Sequence, residues 1–223
     1  MNYIYTTCLN QLSWSQLKDY QGILTLNDQQ TINQLRVNDD KCRTLLGKLL
    51  LLYVLKKHAS YPALQLPNLT YNQYFKPFIE NMQGSFNIAH AGDWVVCAYN
   101  EQGQIGVDIE AQQPINIDEY HEVLTEDEIE AINHGKLDFI QLWTLKEAII
   151  KADGRGFYLA PNSFTLPLPF INNSVITVDK NAWFLNWQQV AKNYSLAVAS
   201  SSKTEDLITK TLTINELTNF FYC

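Results

Sequence analysis

Two carboxylates in a short segment have the type and spacing needed for chemistry. Asp108 and Glu110 stand two apart in the run GVDIE at 106–110. Side chains alternate along a strand, so both acids would project from one face and Val107 and Ile109 from the other. Neighbouring carboxylates repel each other, and a hard cation such as Mg²⁺ removes that repulsion. An exposed strand edge kept soluble by acids is the other interpretation of this pattern.

A second segment, WTLKEAIIK at 143–151, carries another acid and a base. Helical spacing places Glu147 and Lys151 four apart on one face, while Leu145 and Ile149 belong to a buried stripe. An exposed ion pair of this kind contributes about 0.3–0.5 kcal/mol to helix stability. In a chemical interpretation, Glu147 is a third metal-side carboxylate and Lys151 contacts a phosphate.

Three further cationic side chains are candidates for binding an anion. His90 lies among small residues in the run FNIAHAGDW at 86–94, just before a strand, where backbone can approach a ligand closely. Arg43 lies near the first turn of a predicted helix, and Lys76 precedes a proline. Each of the three could equally be an ordinary residue satisfied by local backbone or by solvent.

The charge balance excludes one class of partner. The chain has 223 residues, 46% of them hydrophobic and 17% charged, with a net charge of −7. Duplex-binding proteins need a basic surface because phosphate neutralisation dominates their affinity. The sequence has no basic stripe, so we expect no nucleic-acid partner.

Cysteine usage and hydropathy indicate the compartment. The four cysteines form no CxxC pair, which argues against a zinc site or a disulfide framework and fits a reducing compartment; they are Cys8, Cys42, Cys97 and Cys223. The first residues lack the features of a signal peptide. The apolar run 49–55 is flanked by lysines and is too short for a membrane span. We therefore expect a cytoplasmic protein without a membrane partner.

Local signals predict the elements that carry these residues. Apolar spacing predicts a helix over 39–58, and a capping box at Thr125–Glu128 predicts the start of a short helix. A further helix is predicted over 138–152, closed by Gly154. The strand-like runs are 94–99, 105–110, 182–187 and 194–200, and the glycine-bearing turn between the first two predicts a hairpin.

The two halves of the sequence echo each other faintly. Each has an apolar helix followed about 50 residues later by a strand that an aromatic residue opens, Trp94 or Tyr194. Taken alone, this echo is explained by chance at least as well as by a duplicated fold.

Taken in order, four segments resemble the motifs of one enzyme family. FKP at 75–77, FNIAHAGDWV at 86–95, GVDIE at 106–110 and WTLKEAIIKADGRGF at 143–157 are similar to those of the 4'-phosphopantetheinyl transferases of the surfactin-synthetase-activating type. The resemblance runs from about residue 38 to 164 and is loose elsewhere. Spacing agrees as well as content, which makes the four strings together far more specific than any one.

This resemblance implies a fold and a separate role for each half of the chain. The fold is α+β, a pseudo-two-fold arrangement of two similar subdomains, each an antiparallel sheet packed against a long helix. The active site lies in the cleft between them. Residues 1–103 would form the half that contacts coenzyme A, and residues 104–223 the half with the metal and catalytic residues.

The resemblance also implies an activity. A holo-[acyl-carrier-protein] synthase type enzyme would move 4'-phosphopantetheine from coenzyme A to a serine of an apo acyl or peptidyl carrier protein, releasing 3',5'-ADP. A monomer suffices, because one chain forms the cleft. The carriers of this family serve fatty-acid, polyketide and nonribosomal peptide synthesis.

By motif position, the resemblance gives each candidate a role. Mg²⁺, with Mn²⁺ as a substitute, would be held by Asp108, Glu110 and Glu147. Glu147 and Lys151 would be the catalytic residues. The coenzyme A contacts would be Arg43 and His90 at the 3'-phosphate end, Lys76 as an anchor, and Asp108 and Lys151 at the pyrophosphate.

The chain departs from the family pattern at three places. Ala89 stands where the family usually has a small hydroxyl residue, Phe75 stands where it has a glycine, and basic residues are sparse over 24–32. These departures affect the binding of coenzyme A and leave the carboxylates intact.

Two other functions fit the same residues. A metal-dependent phosphodiesterase or pyrophosphatase would use the carboxylates to hydrolyse coenzyme A without a carrier. A degenerate family member would bind coenzyme A or the carrier without activity. A P-loop hydrolase is not expected, because the GxxxxGK[ST] motif is missing.

A docking site for the carrier is expected beside the cleft. Both partners are expected to be acidic, so docking should rest on a local apolar or basic patch. We expect the segment 114–137 to supply part of it through Val123, Leu124 and Ile129.

Overall fold

Two four-stranded sheets, each covered by a long helix, make up most of the structure, a computed structural model that describes residues 1–203 and 207–222. The strands are β1 Asn2–Cys8, β2 Thr70–Tyr71, β3 Pro77–Phe78, β4 Ser85–Ala91, β5 Trp94–Asn100, β6 Ile105–Ala111, β7 Ser174–Val178, β8 Asn181–Val190, β9 Tyr194–Ser200 and β10 Leu207–Thr211. The α-helices are α1 Trp14–Leu17, α2 Leu26–Gln34, α3 Asn38–His58, α4 Glu126–Asn133, α5 Phe139–Asp153 and α6 Ile214–Tyr222. Short 3₁₀ turns cover Lys18–Ile23, Ile117–Tyr120, Gly156–Tyr158 and Pro161–Ser163. Cys223 lies outside the described residues.

The first sheet has the strand order β10-β1-β5-β4 and is covered by α3. Strands β1, β5 and β4 are antiparallel, while β10 runs parallel to β1. Helix α3 has acids in its first turn and bases in its last, an arrangement that complements the helix dipole. Its apolar residues between Leu45 and Leu55 are buried, which confirms the predicted helix.

The second sheet repeats this arrangement with the order β6-β9-β8-β7 and is covered by α5. Strands β6, β9 and β8 with α5 correspond to β1, β5 and β4 with α3. Trp94 opens β5 and Tyr194 opens β9, and their ring centroids lie 6.3 Å apart. The expected α+β fold of two similar subdomains is therefore confirmed.

The predicted hairpin between β5 and β6 is wrong. Strand β5 pairs with β1 on one edge and β4 on the other, and β6 pairs with β9. Both edges of β5 are thus satisfied, so the chain has to leave the sheet after it. The buried Asn100 turns it, because its Oδ1 accepts hydrogen bonds from the amides of Gln102 and Gly103, each 3.0 Å away.

Side chains join the two halves where β4 and β6 lie side by side. Ser85 Oγ accepts a hydrogen bond from the amide of Ile105, and Asn87 Oδ1 accepts one from the amide of Val107, both at 2.9 Å. A third apolar cluster, which includes Val107 and Val198, fills the space between the sheets. Strand β6 is therefore held against the first half through β4 as well as against β9.

The end of the chain packs on the first half. Strand β10 extends the first sheet, and Leu212 and Leu217 lie in the core under α3. By packing, the first half therefore includes residues 207–222 as well as those before 104. Within the described residues, no helix combines the length and apolar character that crossing a membrane requires.

The segment before α4 is anchored in the core. The predicted capping box is present, since the amide of Thr125 donates to Glu128 at 3.0 Å. It draws Leu124 into the second core, where only 4% of its surface is exposed, and Ile129 packs against the same core. The expectation that Leu124 offers a docking surface is therefore wrong.

Candidate active site

Asp108 is positioned by the close approach of α5 to β6. A Cβ atom on Gly106 would lie 2.1 Å from the carbonyl oxygen of Ala148 and 2.3 Å from the amide nitrogen of Ala152. Only a residue without a side chain lets these two backbones come so near. One alternation further along β6, Asp108 faces the helix and reaches Lys151.

The carboxylate of Asp108 is buried and only half satisfied. The side chain of Lys151 donates to Asp108 Oδ1 at 2.5 Å, while Oδ2 is buried and has no hydrogen-bond partner among the described residues. Asp108 exposes 3% of its surface, and this burial raises the pKa of its carboxyl, with the charge of Lys151 opposing the rise. A buried acceptor without a partner is costly, which indicates that the site is built to bind something there.

Glu110 and Glu147 lie within electrostatic reach of Asp108. Burial, followed by the charge of Asp108, raises the pKa of Glu110 to about 7; Lys151 opposes this rise and Glu147 adds to it. Burial also raises the pKa of the Glu147 carboxyl, with Lys151 opposing and Asp108 adding. The structure therefore brings the three predicted carboxylates into one half-buried cluster. A cluster of like charges with raised pKa values is typical of a functional site.

Lys151 does not form the helical ion pair with Glu147 that exposed spacing allows. Within the described residues, no ion pair joins these two side chains, and Lys151 reaches across to β6 instead. Its ammonium is therefore the counter-charge of the buried Asp108.

The three carboxylates are of the right chemical type to bind a magnesium ion, but they do not lie close enough together to enclose one. In the described part of the chain, no three acidic, histidine or cysteine side chains are gathered closely enough to enclose an ion. The donor set is nevertheless all oxygen, which suits Mg²⁺, and Asp108 Oδ2 is a buried acceptor with no partner.

His90 and Arg43 lie beside this cluster. Burial and the charge of Arg43 lower the pKa of the His90 imidazole; Asp40 opposes this effect and Lys151 adds to it. Arg43 donates to Asp40 at 2.6 Å and to the carbonyl oxygen of Gly92 at 2.9 Å. Two cationic side chains, Arg43 and Lys151, and the imidazole of His90 thus lie at the ends of α3, α5 and β4.

Asp40 is a site residue that the sequence reasoning missed. It fixes Arg43 from one turn earlier in the same helix, and only the spacing of three residues could have indicated it.

The structure places Lys76 at the carboxyl end of α5, where its hydrogen bonds go to residues other than the remaining candidates. Its ammonium donates to the carbonyl oxygens of Ala152 at 2.8 Å and Ile105 at 3.3 Å, and to Gln104 Oε1 at 3.3 Å. Nearby, Asn72 donates to the carbonyl oxygen of Gly154 at 3.0 Å. In the structure Lys76 ties the short β2–β3 hairpin to the second half, and its contact with coenzyme A stays a prediction.

Stability should rise with pH because of Lys76. Burial lowers the pKa of its amine from 10.5 to about 8, with Asp153 opposing. Between these values the unfolded chain keeps a proton that the folded chain has released, so the free energy of unfolding increases with pH. Urea denaturation at pH 8 and pH 9.5 should show a larger gain for the natural protein than for Lys76→Met. Equal gains in the two proteins would contradict this assignment.

Lys146 is a second residue that the sequence reasoning did not single out. It is fully buried and donates to the carbonyl oxygens of Pro161 and Phe164, both at 2.7 Å, and pairs with the buried Glu128 at 2.9 Å. Its position on the apolar stripe of α5 was the available signal, because a lysine there needs buried partners. These bonds fix the helix immediately before Glu147.

Sequence comparisons with known proteins match both halves of the chain. Residues 104–199 match the sequence model of the 4'-phosphopantetheinyl transferase superfamily, and residues 12–102 match that of the 4'-phosphopantetheinyl transferase N-terminal region.

Two curated proteins show the extent of the similarity. The chain is 33% identical over 194 residues to the 4'-phosphopantetheinyl transferase gsp of Aneurinibacillus migulanus, an alignment that covers 82% of this chain and 78% of the relative. It is 34% identical over 140 residues to the 4'-phosphopantetheinyl transferase Sfp of Bacillus subtilis, covering 58% of this chain and 60% of that protein. The second alignment thus spans less than two thirds of the relative.

Proposed function

This chain belongs to the 4'-phosphopantetheinyl transferase superfamily, and we propose that it moves the 4'-phosphopantetheine group of coenzyme A onto a serine of an apo carrier protein. The products would be the holo carrier and 3',5'-ADP. We further propose that the enzyme is of the holo-[acyl-carrier-protein] synthase type and accepts acyl or peptidyl carriers.

The observation that carries this proposal is the buried, half-satisfied Asp108, one of three carboxylates that lie near the cations Arg43 and Lys151 and the imidazole of His90. Carboxylates that hold a divalent cation beside cationic side chains are suited to a pyrophosphate, which needs both kinds of contact. We assign the cation to Asp108, Glu110 and Glu147. Lys151 would contact the pyrophosphate, and Arg43 and His90 would contact the 3'-phosphate.

In the proposed reaction, the serine oxygen bonds to the phosphorus on the pantetheine side, and the bond from that phosphorus to the leaving 3',5'-ADP breaks. Asp108, Glu110 and Glu147 would hold a divalent cation, which would supply positive charge to offset that of the pyrophosphate. Lys151 adds a fixed positive charge where the leaving group becomes more negative. The serine proton passes to Glu147 or to a water that Glu147 orients.

Intact-mass measurement of an apo carrier after incubation with the protein, coenzyme A and Mg²⁺ tests this function. We expect the carrier to gain the mass of one phosphopantetheine group, and EDTA should prevent the gain. Glu147→Gln should lower the rate at least roughly 100-fold, because it removes the proposed base and a metal ligand.

Asp19→Asn provides the control, since Asp19 is exposed in the 3₁₀ turn Lys18–Ile23 and lies outside both the site and the expected docking segment. It should leave the rate unchanged. Hydrolysis of coenzyme A without any carrier would favour a phosphodiesterase or pyrophosphatase instead. Binding of coenzyme A without turnover across several carrier classes would favour a degenerate binding protein.

A further inference from the structure

Lys151 is bound to one oxygen of the carboxylate that is central to the cation site. Its ammonium lies 2.5 Å from Asp108 Oδ1, and Asp108 is the buried member of the three acids. The side chain of Lys151 exposes 30% of its surface, which leaves its ammonium space to move. Asp108 is fixed on a sheet strand and has no comparable freedom.

An ammonium and a divalent cation cannot both occupy Asp108 without cost. Two positive centres on one small carboxylate repel each other, and the low polarity of a buried site strengthens that repulsion. Each ligand must therefore bind more weakly while the other is present.

The neighbouring side chains define where the lysine goes when it leaves Asp108. Lys151 is close enough to His90 to influence its pKa, and Arg43 acts on the same histidine. A freed ammonium and the guanidinium of Arg43 would then both be available to phosphate, and His90 would donate to it through its ring N–H.

We propose that Lys151 competes with the divalent cation for Asp108, and that binding of the cation releases Lys151 to the phosphates of coenzyme A. This inference rests on the proposed function for the identity of the anion. It makes the cation and the nucleotide bind cooperatively, and each then raises the affinity for the other by the same factor.

The test is the affinity for Mn²⁺, measured by titration with detection of free Mn²⁺ by electron paramagnetic resonance. Lys151→Met should bind Mn²⁺ roughly fivefold or more tightly than the natural protein when no nucleotide is present. Lys151→Arg keeps the positive charge and should bind Mn²⁺ with an affinity close to that of the natural protein. In Lys151→Met, addition of 3',5'-ADP should improve Mn²⁺ affinity by a smaller factor than in the natural protein.

A control separates local competition from a general change in net charge. Lys57→Met removes the same charge from an exposed residue at the far end of α3, about 20 Å along the helix from Arg43. It should leave the Mn²⁺ affinity unchanged. Circular dichroism of each variant verifies that it is folded.

The outcomes distinguish this inference from the proposed function. An unchanged or weaker Mn²⁺ affinity in a folded Lys151→Met overturns the competition, even if the protein modifies carriers. A tighter Mn²⁺ affinity supports the competition, even if no carrier is ever modified.

Discussion

Replacing Gly106 with alanine should lower the free energy of unfolding by about 3 kcal/mol and remove most of the transferase activity. The added methyl would lie 2.1 Å from the carbonyl oxygen of Ala148 and 2.3 Å from the amide of Ala152. Both neighbours are backbone atoms of α5, so no side chain can rotate away. The helix would have to move from β6, and Glu147 and Lys151 would move with it.

Urea denaturation measures the change in stability, and the carrier mass assay measures the change in activity. Gly22→Ala is the matched control, because a Cβ at Gly22 meets nothing within 4 Å. It should be nearly neutral in both measurements. A Gly106→Ala protein with the denaturation midpoint and rate of the natural protein would show that α5 does not need this close approach.

Replacing Lys146 with methionine should lower the free energy of unfolding by about 3–5 kcal/mol, the cost of leaving one member of a buried ion pair without its partner. The charge of Glu128 would stay at a site with no exposure, and the carbonyl oxygens of Pro161 and Phe164 would each lose a donor. The loss should appear in the denaturation midpoint at neutral pH.

The double variant Lys146→Met/Glu128→Gln isolates the buried charge. Glutamine carries no charge and keeps one acceptor oxygen, which satisfies one of the two amides, of Thr125 and Leu166, that now donate to the two oxygens of Glu128. The double variant should therefore be more stable than Lys146→Met alone. Lys136→Met, at an exposed lysine in the same half, should change stability by less than about 0.5 kcal/mol. If the double variant is as unstable as the single one, packing rather than charge causes the loss.

The elements set by local contacts could be predicted from the sequence. Asp138 caps α5 by accepting from the amide of Gln141, and Gly154 closes it with φ of 85°. The capping box at Thr125 likewise involves residues three apart. These signals are contained within a few residues and do not depend on the rest of the fold.

Strand pairing could not be read in the same way. The turn after β5 resembles a hairpin turn, yet the partner of β5 includes β1, which lies more than 80 residues earlier in the chain. A one-dimensional pattern does not record that both edges of β5 are already paired.

In the candidate site, too, local patterns could be predicted and contacts between distant elements could not. Alternation along β6 predicted that Asp108 and Glu110 share one face of the strand, and helical spacing placed Glu147 and Lys151 on one face of a helix. The contact from Lys151 to Asp108 depends on how closely two elements approach, which the hydrogen at Gly106 determines. The position of Lys76 could not be predicted either, because carbonyl groups from the other half of the fold fix it.

The parallel pairing of β10 with β1 affects the order in which the chain can fold during its synthesis. All four strands of the second sheet leave the ribosome before β10 does. At roughly 5–20 residues per second, the roughly 100 residues between β5 and β10 take about 5–20 s to emerge. During this time one edge of β1 stays open to other chains and to chaperones. The half that is synthesised first is therefore the half that is completed last.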